Sequence, residues 1–157
     1  MRRILKEEVD QLVRDHELLA GSPDRPVLLL TSTGDIIKFF YRRRLISRNL
    51  ISAQAMRFKL NSIRLDQLNV TAPAVKDVMF CAEVPVHAVV YPYIEGIDLR
   101  RLCAAGDLTT LDDLPAYLAH LHREGIFFRA IHLGNVLKLS AGGYGLLLSC
   151  VGVGGFV

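Results

Sequence analysis

Hydrophobic and polar positions change their period several times along this chain. Between Arg3 and Leu19, Ile4, Val9, Leu12 and Val13 fall among charged residues at helical spacing, which predicts an amphipathic N-terminal helix. Gly21-Ser22-Pro23-Asp24 carries turn chemistry, and Val27 to Thr31 reads as a short apolar strand. The Thr33-Gly34-Asp35 turn closes it and Ile36 to Tyr41 answers it, a β-hairpin with one lysine, Lys38, in its second arm. From Leu45 to Leu68 there is neither Gly nor Pro, and Leu50, Met56, Leu60, Ile63 and Leu68 form an apolar stripe on one long helix. Val75 to Val84 and Ala88 to Tyr93 predict two further strands joined near Pro85. Glu95-Gly96 breaks the chain before a short helix at Leu99 to Ala104. A further helix is predicted over Asp107 to Arg123, with Thr110 as N-cap and Asp112 and Asp113 in its first turn. Two short strands, Val136 to Leu139 and Tyr144 to Leu148, flank Ala141-Gly142-Gly143.

With 157 residues, 51% hydrophobic and 22% charged, the chain has material for one domain with a buried core, and the mixed element order makes that domain α+β over residues 1–157. Leu139 to Val157 is uncharged and long enough to raise the question of a membrane span, but its six glycines favour a buried strand leaving its domain. Cys81, Cys103 and Cys150 form no C-x-x-C pair and no cleavable N-terminal signal is read, so reduced thiols in a cytoplasmic compartment are expected. His16, His87, His120, His122 and His132 stand at no zinc-ligand spacing with them.

A net charge of +3 matters less than its distribution. Lys38, Arg42, Arg43, Arg44, Arg48, Arg57, Lys59 and Arg64 form a basic run with no acid inside it, Asp66 being the first beyond it. Two readings stand side by side. One is an anionic lipid or lipopolysaccharide partner bound through segment 38–64, at about 1 kcal/mol per Lys or Arg; the other is a solvated helix face. Few aromatics interleave the basic residues, so nucleic acid is not expected.

The segment from Leu121 to Leu139, L-H-R-E-G-I-F-F-R-A-I-H-L-G-N-V-L-K-L, has the cadence of a kinase catalytic loop. In H-R-D-L-x-x-x-N the Asp accepts the substrate hydroxyl's proton and the Asn holds a metal ion. Laid on this chain, the pattern puts Phe128 at the His, Arg129 at the Arg, Ala130 at the Asp and Asn135 at the Asn.

Four segments in order carry a wider likeness: G-D-I-I-K-F-F-Y-R-R-R-L-I-S from Gly34 to Ser47, R-F-K-L-N from Arg57 to Asn61, V-V-Y-P-Y-I-E-G from Val89 to Gly96, and F-R-A-I-H-L-G-N-V-L from Phe128 to Leu137. On these residues the chain, from about Val27 to Leu148, resembles the lipopolysaccharide-kinase group, which includes bacterial Kdo and heptose kinases and the proteins labelled toluene tolerance. The resemblance implies a protein-kinase-like N-lobe, an antiparallel sheet plus a long helix, over residues 1–94, and a partial helical C-lobe over residues 95–157. It implies ATP-dependent phosphoryl transfer to a sugar hydroxyl of the lipopolysaccharide core at the inner face of the bacterial inner membrane. ATP and Mg²⁺ are the implied ligands. Lys38 takes the place of the lysine on the α/β-phosphates, Asn135 that of the metal-binding Asn, and Tyr91 to Ile94, with Tyr93 between them, that of the adenine hinge. Arg129 and Gly134 are implied as structural residues of the loop.

The departures point away from catalysis. Ala130 stands at the catalytic Asp and Leu148, or Ser149 if the hairpin slips by one, at the Asp of D-F-G, and no Asp follows Asp113. No Glu lies between Leu45 and Ala82 to hold the lysine, and no G-x-G-x-x-G precedes the hairpin. The sequence stops soon after the metal-loop strand, which leaves a surface where further C-lobe helices would pack. His132 has two readings, a substitute base or a packed residue bracing the loop. Lys38 has two as well, a phosphate ligand or a lysine reaching solvent. Three functions are therefore expected in competition: a pseudokinase with weak or no phosphotransfer, an active sugar or lipopolysaccharide kinase, and an interaction protein whose partner covers the C-lobe surface.

Overall fold

The computed structural model describes residues 1–41, 48–127 and 132–147. The chain divides into two compact units, Met1–Leu60 with Ala74–Tyr93, and Asn61–Pro73 with Ile94–Val157.

The first unit is built on a sheet of strands β1 (Arg2–Ile4), β2 (Glu17–Ser22), β3 (Arg25–Leu30), β4 (Asp35–Tyr41), β5 (Asp77–Cys81) and β6 (Val86–Pro92). Their order is β1-β5-β6-β4-β3-β2, antiparallel except for β1 on β5. Helix α1 covers Lys6–Asp15, and α2 covers Arg48–Gln67, of which the residues up to Leu60 belong to this unit.

Strand β4 settles both faces. Register sets Phe39 opposite Ala88, Lys38 opposite Val89 and Phe40 opposite His87. Because side chains alternate along a strand, Ile37, Phe39 and Tyr41 turn to one face and Ile36, Lys38 and Phe40 to the other. The first set joins Leu29, Met79, Cys81, Val86 and Ala88, with Val9, Leu12 and Val13 of α1 packed on it. On the second face Phe58 of α2 meets Phe40 and Tyr91, with ring centroids 5.8 and 5.5 Å away. Cover on both faces explains why β4 and β6 read as nearly continuous apolar runs.

Three expectations need correction. The N-terminal helix is confined to Lys6–Asp15, since His16 is already extended and Glu17–Ser22 is a strand. Pairing of Ile4 with Cys81 and of Glu17 with Leu30 overrides the local helical pattern. On α2, Met56, Leu60 and Ile63 do not pack: they are 37%, 59% and 45% exposed, while Ala55, Phe58, Ser62 and Leu65 form the buried face.

The third correction lies in the second unit, a sheet of β7 (Gly96–Asp98), β8 (Val136–Leu139) and β9 (Tyr144–Leu146) with helices α3 (Leu99–Ala104) and α4 (Leu114–Arg123). Instead of one helix over Asp107–Arg123, Thr109–Leu111 is a 3₁₀ turn and α4 starts at Leu114. The Thr110 hydroxyl does not cap α4. It donates to the Asp107 carbonyl, 3.0 Å away, and the Thr110 carbonyl accepts the Tyr144 hydroxyl at 2.7 Å. Leu99, Leu121, Ile126, Val136 and Leu146 make the buried centre. Gly96 is required where β7 meets β8, because a Cβ there would lie 2.7 Å from the Lys138 carbonyl oxygen.

Candidate functional site

In the first unit, the Lys38 ammonium stands 5.2 Å from the centre of the Phe58 ring and 5.8 Å from that of Phe40. Both distances fall within about 6 Å, the range of attraction between a cation and a ring face. An α2 residue that reaches this lysine, Phe58, is thus aromatic, while the kinase pattern calls for a Glu from this helix. Tyr91 is buried, its ring packs on Phe58, and burial pushes its phenol well above the ordinary range. Tyr93 is exposed and its backbone N–H donates to the Gly34 carbonyl at 2.9 Å, which ties the chain after β6 to the β3–β4 turn.

The second unit holds Ile94, His132, Gly134 and Asn135. Leu133–Asn135 is a single 3₁₀ turn. The Asn135 N–H donates to the His132 carbonyl and the Asn135 carbonyl accepts the Leu147 N–H, each at 2.8 Å, which ties the turn to the end of β9. Across the imidazole, Arg100 Nη2 lies 3.2 Å from Nδ1 and the Asn135 amide nitrogen Nδ2 2.9 Å from Nε2. Both ring nitrogens of His132 are therefore engaged. Arg100 arrives there because Asp98 caps α3, its carboxylate accepting the Arg101 N–H at 3.1 Å. Gly134 leaves the room: a Cβ on it would sit 3.2 Å from the Arg100 guanidinium carbon.

Arg129, Ala130 and Leu148 lie outside the described residues, as do Arg42, Arg43 and Arg44 of the basic run. Of the remainder of that run, Arg57 is exposed and Lys59 and Arg64 are half-buried on α2. Among the described residues no group of three or more His, Cys, Asp or Glu could hold a metal ion, and no helix is long and apolar enough to cross a membrane.

Phe58 and Arg100 are the two residues that sequence reasoning missed. Phe58 lies inside the R-F-K-L-N segment, but nothing in that segment says it faces Lys38. Arg100 meets His132 across 32 positions with no local signal.

A sheet of mostly antiparallel strands with a lysine on the face that α2 covers, followed by a unit whose H-L-G-N turn feeds a β-hairpin, makes this a kinase-like fold. Solved structures agree at that level. A crystal structure of WbdD matches with 19% identity and a TM-score of 0.54 over 76% of this chain. A structure described as the bifunctional kinase-methyltransferase WbdD matches with 22% identity and a TM-score of 0.54 over the same share. WbdD in complex with a kinase inhibitor matches with 21% identity and a TM-score of 0.52 over 76%. The chain spans 28–29% of the length of those three chains. No family model matches, and no curated protein matches significantly.

Proposed function

We propose that this chain is a kinase-like nucleotide-binding module of the pseudokinase type, related to the lipopolysaccharide-kinase group, with weak or no phosphotransfer. The observation that carries the reading is the engagement of His132. It is the one group near the loop that could replace the base missing at Ala130, and its two nitrogens are taken by Arg100 and Asn135. A general base is typically worth about 10²–10⁴ in rate. Metal ions and positioning supply most of the rest, and the sequence has no Asp after Asp113 to hold a metal. The likeness to a bifunctional kinase-methyltransferase supports a nucleotide as the ligand, with Lys38 as the position tested for it.

The test is a thermal-shift titration of the whole chain with ATP, with and without Mg²⁺, beside a phosphotransfer assay. ATP is expected to raise the melting temperature, Lys38→Ala to reduce that rise, and turnover to match the blank. Turnover that disappears in Lys38→Ala would establish an active kinase instead.

A further inference from the structure

The residues around Asn135 do not suit a divalent cation. A hard metal ion takes an amide through its oxygen. The Arg100 guanidinium can only donate, so the ring nitrogen 3.2 Å from it, Nδ1 of His132, presents a lone pair. The proton of the neutral imidazole is then on Nε2. The atom placed 2.9 Å from Nε2 is the Asn135 amide nitrogen, so with Arg100 on Nδ1 two donors would face a neutral ring that carries one proton; turning the amide by 180° sets its oxygen against Nε2–H and resolves the conflict. In that orientation Asn135 Oδ1 accepts from His132, and a full positive charge stands just beyond the ring. A divalent cation would have to share that oxygen with the ring N–H and settle near a guanidinium. An oxyanion faces neither cost.

We propose that this turn is a metal-free oxyanion site, in which Arg100 takes the place of the divalent cation against the phosphate groups of the bound nucleotide. The proposal rests on the nucleotide reading above. Arg100 is exposed on α3 and one of its N–H groups is used on His132, which leaves the rest of its planar donor fork for paired contacts to a phosphate. His132 and Asn135 act as positioning residues: the ring holds the guanidinium and the amide holds the ring. Gly134 supplies the space, its missing Cβ falling 3.2 Å from Nη2 of Arg100 and 3.3 Å from Nδ1 of His132.

The experiment uses the whole chain, with ATP and inorganic tripolyphosphate as probes. Binding is measured by calorimetry in EDTA and again in Mg²⁺, and the tautomer of His132 by long-range proton–nitrogen NMR. The expected result is binding of both probes in EDTA, no gain with Mg²⁺, and an Nε2–H tautomer. Arg100→Met should weaken both probes roughly tenfold or more, and Arg100→Lys should restore only part of the loss. Gly134→Ala keeps every charge but crowds the guanidinium, and should weaken tripolyphosphate in EDTA while the melting curve stays cooperative. An Nδ1–H tautomer overturns the proposal whatever binds. ATP binding that needs Mg²⁺ and survives Arg100→Met overturns it and leaves the nucleotide reading standing. Tripolyphosphate binding that Arg100→Met removes, with no response to ATP, defeats the nucleotide reading and upholds the oxyanion site.

Discussion

Lys38 and Asn135 are two described polar residues at positions of the kinase-like pattern, and they are held in opposite ways. Lys38 sits in the middle strand of a sheet, half-buried, its ammonium set against the faces of Phe40 and Phe58. Asn135 sits in a turn whose partners, His132 and Arg100, are both exposed, and these three polar side chains hold one another. The first charge is positioned by close packing, which responds to volume. The second group is positioned by hydrogen-bond roles, which respond to a single donor or acceptor. A substitution that damages one kind of scaffold should therefore leave a different signature from one that damages the other.

Packing should fail with the larger penalty. Phe58 touches Phe40, Tyr91 and the Lys38 ammonium from a position 5% exposed. Phe58→Ala is expected to lower stability by about 3–5 kcal/mol in urea unfolding, and Phe58→Leu, which keeps most of the volume, by less than about 1.5 kcal/mol. Equal losses would mean that the ring face, rather than its bulk, holds this part of the sheet. In the second unit the strongest packing constraint is on Gly96. Gly96→Ala sets a Cβ 2.7 Å from the Lys138 carbonyl oxygen, and a backbone atom cannot yield as a side chain end can. A loss of about 1–3 kcal/mol is expected from overpacking. No loss would show that β7 pairs with β8 more loosely than the register indicates.

His87 lets pH probe the packed scaffold. It is buried on β6 between Phe40 and Phe80, stacked on Phe80 at 4.7 Å, and its Nδ1 has no partner among the described residues. Burial lowers its pKa below the ordinary 6.5. The unfolded chain therefore takes up this proton at a higher pH than the folded one. Stability is expected to fall as pH drops below about 6.5 and to level off once pH passes the folded value. Melting temperatures between pH 7 and pH 5 should fall less steeply in His87→Phe than in the parent. Parallel slopes would exclude His87 as a source of the acid sensitivity.

The two scaffolds also differ in how far the sequence discloses them. Strands β4, β6 and β8 and helix α3 lie within about two residues of their expected bounds, because turn residues bracket each. Lys38, His132 and Asn135 were singled out by residue type and spacing alone. Phe58 and Arg100 were not, since each reaches its partner through tertiary folding, across 20 and 32 positions. The lower part of helix α2 shows the physical reason for the one misread face. It carries two stripes: Met56, Leu60 and Ile63, which look like a core, and Ala55, Phe58, Ser62 and Leu65, which are the core. Small Ala and polar Ser disguise the packed stripe, and only the sheet above it, where Phe40 and Tyr91 receive Phe58, decides between them.

The smallest predicted effect tests that decision. Leu60 is the most exposed side chain of the outward stripe, at 59%, so Leu60→Gln removes little apolar area from contact and keeps a good helix former. Its stability change should stay within about 0.5 kcal/mol, the usual range for surface positions. Set against the loss expected for Phe58→Ala, two positions away on the same helix, this near-silence would separate the two stripes by roughly a factor of six or more in free energy. A loss at Leu60 as large as that at Phe58 would mean that the stripe visible in the sequence packs after all, and that the face carrying Phe58 does not alone hold α2 in place.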